Sequence, residues 1–119
     1  MVKLDRITLS NEGLTKFFSP IEARIMEVLW DNAELTTPEI TEKTDISLSS
    51  VAGTLDRLVK AGFATRELDK SGQKVRYLYS AADSMDNTAN NITRKVLDSL
   101  VDTFGKVAIE NFHKYHDKK

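Results

Sequence analysis

"SLSSVAGTLDRLVKAGFATRE", residues 47–67, fixes how the rest of the chain is read. Ser47 is a residue type that caps helices, and Val51, Leu55, Leu58 and Val59 follow at the spacing of one apolar helical stripe. Gly62 supplies the left-handed residue that ends such a helix, and the run after it begins a strand. At 100° per residue, Ser49, Gly53, Arg57 and Lys60 fall opposite the stripe, with Ser50 and Thr54 on one shoulder. A glycine in mid-helix costs about 1 kcal/mol relative to alanine. Gly53 therefore marks either a surface that something approaches closely or a point where another helix crowds the backbone.

Two further helix starts precede this one. Ser19-Pro20-Ile21-Glu22 and Thr36-Thr37-Pro38-Glu39 each combine a capping hydroxyl, a proline at the first helical position and a glutamate placed to reach back to the cap. The first helix is expected to bury Ile21, Ile25, Val28 and Leu29, with Met26 and Trp30 packing on its flanks. The second is short, roughly residues 37–44, with Ile40 inward. After Gly62 the sequence reads as a hairpin. Strand 63–68 leads to a turn on Asp69-Lys70-Ser71-Gly72, followed by strand 75–80 with Val75, Tyr77 and Tyr79 on one face. From Asp83 to Phe104 no glycine or proline occurs, and Met85, Ala89, Ile92, Val96, Leu100 and Phe104 recur at helical spacing. Gly105 breaks this helix, and Val107, Ile109, Phe112 and Tyr115 predict a shorter one after it. An apolar stripe on an appendage needs a covering surface, and a second copy of the same chain is the cheapest. Leu4, Ile7, Leu9, Leu14, Phe17 and Phe18 make the first eighteen residues too apolar for a free tail, with the C-terminal helices as one surface for them.

The expected architecture is mainly α with a small β-hairpin: an N-terminal arm (1–18), a winged helix-turn-helix (19–80) and a helical dimerisation region (81–119). A length of 119 residues suits one compact unit with appendages. The 40% hydrophobic and 29% charged composition is that of an ordinary globular protein. No apolar run approaches the roughly 20 residues needed to span a bilayer, so no membrane partner is expected. No export signal is visible at the start, which points to the cytoplasm. The absence of cysteine rules out disulfides and thiolate metal sites.

A net charge of -1 conceals an uneven distribution. Residues 19–42 hold six acidic residues against Arg24 alone, whereas residues 43–80 hold seven basic residues against four acidic ones. Positive charge thus collects on the third helix and the hairpin, beside small polar side chains. That combination suits double-stranded DNA: a helix fits the major groove, and small residues at its start let bases approach. In this reading Ser49, Ser50 and Thr54 meet base edges or phosphates, Arg57 a guanine or a phosphate, and Lys60 a phosphate. Gly53 keeps the helix surface low, and Lys70, Lys74 and Arg76 track the backbone or the minor groove.

"SPIEARIMEVLW", "TTPEITEKTDISLSSVAGTLDRLVKAGFATRE" and "YLYS" resemble the penicillinase and methicillin-resistance repressor family. "LDRLVKAGF" is shared more loosely with multiple-antibiotic-resistance regulators. The resemblance implies a homodimeric repressor on palindromic operators, dimerised through its C-terminal helices. It also implies induction by a protease at an Asn-Phe bond, for which Asn111-Phe112 stands at a comparable place. The family pattern has one more C-terminal helix than this sequence, and the arm is additional to it. The cysteine cluster of the related copper-responsive repressors is absent, which excludes copper sensing through thiolates.

An enzyme is not expected, because no nucleophile–base pair, carboxylate pair or phosphate loop stands at a recognisable spacing. No cofactor is implied. His113 and His116 in the charged tail read as solvated rather than as metal ligands. Two alternatives stay open: a winged helix used for protein contact, which the acidic segment 19–42 keeps open although the basic third helix and hairpin argue against it, and a regulator gated by a small-molecule inducer.

Overall fold

The computed structural model describes residues 7–117, with side chains through Tyr115. Five helices and one hairpin follow in the order α1 (Pro20–Asp31), α2 (Thr37–Thr44), α3 (Leu48–Lys60), β1 (Ala64–Asp69), β2 (Arg76–Ala81), α4 (Met85–Phe104) and α5 (Lys106–Asp117), after a 3-10 turn at Gly13–Lys16. The chain divides into two compact units, and the division falls between Met85 and Asp86.

Both expected capping boxes are closed. The Ser19 N–H donates to Glu22 Oε1 (2.7 Å) while the Glu22 N–H donates to Ser19 Oγ (3.2 Å). The Thr36 N–H donates to Glu39 Oε1 (2.9 Å) and the Glu39 N–H to Thr36 Oγ1 (3.3 Å). These bonds, chiefly from the Thr36 N–H and then its hydroxyl, hold the Glu39 carboxyl below its ordinary value. The α1 stripe lies a little round from the expected one. Glu22 is drawn inward by its cap, so Ala23, Ile25, Met26 and Leu29 are buried, while Ile21 is 39% exposed and Val28 half-buried. Met26 is thus core rather than flank, and Trp30 is half-buried.

Ile25, Met26, Leu29, Ile40, Val51, Leu55 and Leu58 form the centre of the first unit, closed by Phe18, Leu35, Ala64 and Tyr79. Full burial of side chains of this size is worth about 1.5–3 kcal/mol each. Val51, Leu55 and Leu58 together therefore outweigh the helix cost of Gly53. Val59, expected in this stripe, is half-buried. At the end of α3 Gly62 is left-handed (φ 86°), and the Phe63 N–H donates back to the Leu58 carbonyl (2.9 Å). The arm is anchored here: the buried Phe18 ring meets Phe63 edge-on at 5.1 Å, with Leu14 and Phe17 half-buried and Leu9 exposed. Leu4 lies outside the described residues.

The hairpin sits one residue further along than expected, pairing Ala64 with Ala81 through Asp69 with Arg76. Val75 consequently falls in the turn, 62% exposed, instead of beside Tyr77 and Tyr79. The shift follows from the last rung, where the Asp69 carboxylate accepts from Arg76 Nε (3.0 Å), Ser71 N–H (3.0 Å) and Ser71 Oγ (2.6 Å). Those bonds, led by the Ser71 hydroxyl, lower the Asp69 carboxyl to about 2. The clip is therefore complete above the ordinary carboxyl value of 3.8 and loosens only as pH falls towards 2. At the hairpin base, Leu35 and Tyr79 exchange two backbone hydrogen bonds of 2.9 and 2.8 Å, so Leu35 serves as a one-residue third strand.

In the second unit α4 and α5 are joined at Gly105 (φ 62°). Among the described residues no helix is long and apolar enough to cross a membrane.

Because Thr36 is buried and its hydroxyl also donates to Glu39 Oε1 (2.8 Å), Thr36→Ala removes both hydroxyl bonds of the α2 cap and leaves only the backbone N–H bond to Glu39. A loss of about 1–2 kcal/mol in equilibrium urea denaturation is expected, restored in large part by Thr36→Ser.

Candidate nucleic-acid interface

The buried stripe of α3 leaves Ser49, Gly53, Arg57 and Lys60 exposed on the opposite side, as the sequence predicts. Ser47 Oγ accepts from the Ser50 N–H (3.3 Å) and donates to Ser50 Oγ (3.0 Å), which holds the half-buried Ser50 at the first turn. Thr54 departs from expectation. It is 1% exposed, because its side chain turns into the core with Val51 and Leu55, and its Oγ1 accepts from Arg57 Nη2 at 3.0 Å. Thr54 therefore steers Arg57 rather than meeting a base or phosphate itself.

Space around Gly53 decides between the two readings of that residue. A Cβ built there would meet only the far end of Arg57, with Nη1 at 3.7 Å, an ordinary contact. Among the described residues no other helix crowds Gly53. The Arg57 guanidinium lies back along α3 over Gly53 and Thr54, and swinging outward would cost it one part-buried hydrogen bond.

Of the hairpin cations, Lys70 and Lys74 project from the exposed turn 70–75. Arg76 is less free: although its side chain is 60% exposed, its Nε is held by Asp69. Two residues not singled out in the sequence link the hairpin to α3. Asp56 receives Lys60 Nζ at 2.9 Å and Arg66 Nη1 at 3.4 Å, and the Arg66 guanidinium lies 4.8 Å from the centre of the Tyr77 ring. The Lys60 bond above all, then the nearby Lys60 and Arg66 charges, holds the Asp56 carboxyl below its ordinary value. The Asp56–Lys60 spacing of four was a usable signal for one pair. The Asp56–Arg66 pair depends on how β1 packs against α3 and had none.

On α4 the expected stripe contains the buried Ile92, the half-buried Val96 and Leu100, and the exposed Met85 (50%), Ala89 and Phe104 (61%). On α5 Ile109 is 43% exposed and Phe112 half-buried. His113 is exposed, and the His116 side chain lies outside the described residues. Among the described residues no three metal-ligating side chains gather.

Three packed helices with α3 facing outward, a short α2 before it and a two-stranded hairpin beside it define a winged-helix regulator of transcription. The chain belongs to the penicillinase repressor family, whose model matches residues 18–118, and so is a DNA-binding transcriptional regulator. Solved structures agree on the fold. A protein from Methanosarcina mazei Go1 described as a possible transcriptional regulator is 18% identical, with a TM-score of 0.63 and 78% of each chain covered. A mutant of MarR from E. coli is 13% identical, with a TM-score of 0.55, over 85% of this chain and 76% of that one. Bacillus subtilis PadR, solved in complex with operator DNA, is 21% identical, with a TM-score of 0.53, over 61% of this chain and 46% of PadR. No curated protein matches in sequence.

Since no contact among the described residues requires Gly53, Gly53→Ala is expected to stabilise the first unit by about 0.5–1 kcal/mol in urea denaturation. The same substitution should weaken binding to a selected DNA duplex. A variant that is both more stable and unimpaired in binding would remove the close-approach explanation.

Proposed function

We propose that this protein is a homodimeric repressor that lays α3 in the major groove of a palindromic operator. The turn 70–75 then rests on the backbone or in the adjacent minor groove. The observation that carries this reading is the outward side of α3: exposed, small at its start, basic at its end, and carrying a glycine that no internal contact explains. Ser49 and Ser50 supply hydrogen bonds near the helix start, Arg57 reaches bases once it leaves Thr54, and Lys60, Lys70 and Lys74 meet phosphates. The operator complex of PadR supports the assignment by likeness of fold.

Pairing is assigned to residues 81–119. Phe104, Val107, Ile109 and Tyr115 are each more than 40% exposed, an apolar load that a second copy would cover. The pairing stripe comprises Met85, Ala89, Ile92, Val96, Leu100, Phe104, Ile109 and Phe112. Two half-sites then lie one helical turn of DNA apart, or a multiple of it. Asn111-Phe112 stays the candidate bond for a protease in this family's manner of induction, and its exposed asparagine is compatible with access.

Selection from a random duplex pool, followed by salt titration on the selected sequence, tests the reading. Arg57→Ala is expected to lose about 1–3 kcal/mol on the selected duplex and to relax preference at one base position. Equal loss on every sequence would mean that Arg57 touches only phosphate. Leu100→Asp should shift the sedimentation equilibrium mass from dimer to monomer and reduce operator affinity with it. A mass unchanged from that of the parent protein would count against pairing through α4.

A further inference from the structure

Asp56 is an anion set into the basic side of the molecule. On α3 it occupies the shoulder opposite Ser50, next to β1, and its carboxylate holds Lys60 and Arg66 at once. All three side chains are open to water, at 42% for Asp56, 70% for Lys60 and 33% for Arg66. Ion pairs this exposed contribute little to stability, so holding the fold together is a weak reason for a carboxylate here. Its effect on nucleic acid is larger. A phosphate approaching Lys60 or Arg66 meets a cation that already has a partner, and must displace a carboxylate that repels it.

On the reading that α3 faces the duplex, we propose that Asp56 determines specificity by occupying Lys60 and Arg66. It thereby weakens two phosphate contacts, that of Lys60 among them, that would bind any sequence equally. Phosphate contacts supply essentially all of the non-specific affinity, whereas base contacts separate one site from another. Keeping two cations neutralised lowers the first without touching Ser49, Gly53 or Arg57, which belong to the second. The acid acts by weakening the wrong complexes, a recognised route to discrimination. Arg66 is well suited to this control because the Tyr77 ring fixes its guanidinium within reach of Asp56.

The test uses the full chain with Asp56→Asn, which keeps the shape and removes the charge, and Asp56→Ser as a second neutral variant. Dissociation constants are measured by fluorescence anisotropy on a random-sequence duplex and on the pool-selected duplex, across a salt series. Each cation released to a phosphate should steepen the salt slope on the random duplex by about 0.9 and tighten binding roughly eightfold at 0.1 M salt. The ratio of selected to random affinity should fall, and Lys60→Ala combined with Asp56→Asn should cancel part of the gain. If Lys60→Ala and Arg57→Ala weaken binding while both Asp56 variants leave random affinity and slope unchanged or lower, Asp56 does not act this way. If none of the Arg57, Lys60 and Asp56 variants changes binding to either duplex, the DNA surface lies elsewhere and both readings fall.

Discussion

The burial of Val51, Leu55 and Leu58 is the constraint on which the rest of the first unit depends. Those three side chains, each inaccessible to water, set the rotation of α3 about its own axis. Once the rotation is set, helical geometry leaves no choice about what faces outward: Ser49, Gly53, Arg57 and Lys60 follow. Apolar packing therefore decides the orientation of the polar surface, although it contributes nothing to what that surface touches. Thr54 belongs to the same constraint. Its side chain fills the edge of the buried stripe while its oxygen holds Arg57 in place.

A second layer of control lies in the hairpin. Two strands alone are marginal in water, and contacts reach this pair at three levels: backbone bonds from Leu35 at the base, Arg66 against Tyr77 and Asp56 in the middle, and Asp69 at the turn. Two of those levels use carboxylates to order cations. The protein thus arranges its positive charge through nearby negative charge, and its weakly negative total charge is compatible with binding a polyanion.

Local signals were legible in the sequence, and long-range ones were not. Both capping boxes, the bounds of α2 and the glycine stops at Gly62 and Gly105 are set within a few residues and could be read directly. Phase errors arose where tertiary packing chose between neighbours of similar hydrophobicity. Met26 displaced Ile21 from the core once Glu22 turned inward to its cap, and Thr54 took the place expected of Val59. Val75 left the strand because Asp69 and Arg76 closed the last rung ahead of it, a matter of side-chain bonding rather than β propensity. At the candidate interface the face of α3 was visible from periodicity. The Asp56–Arg66–Tyr77 chain joins residues ten and more apart and needed the structure.

The bridge between Leu35 and Tyr79 has a consequence for how such a protein can change over generations. Its two hydrogen bonds involve only main-chain atoms, so the base of the hairpin holds its place whatever side chains occupy the tip. Residues 70–75 are surface exposed and serve as no part of the core. Apart from Ser71, which closes the Asp69 clip, the tip is thus a region where substitutions carry a small thermodynamic cost. A different set of exposed side chains at the tip would leave that base in place, whereas any change in the phase of α3 would disturb the core as well.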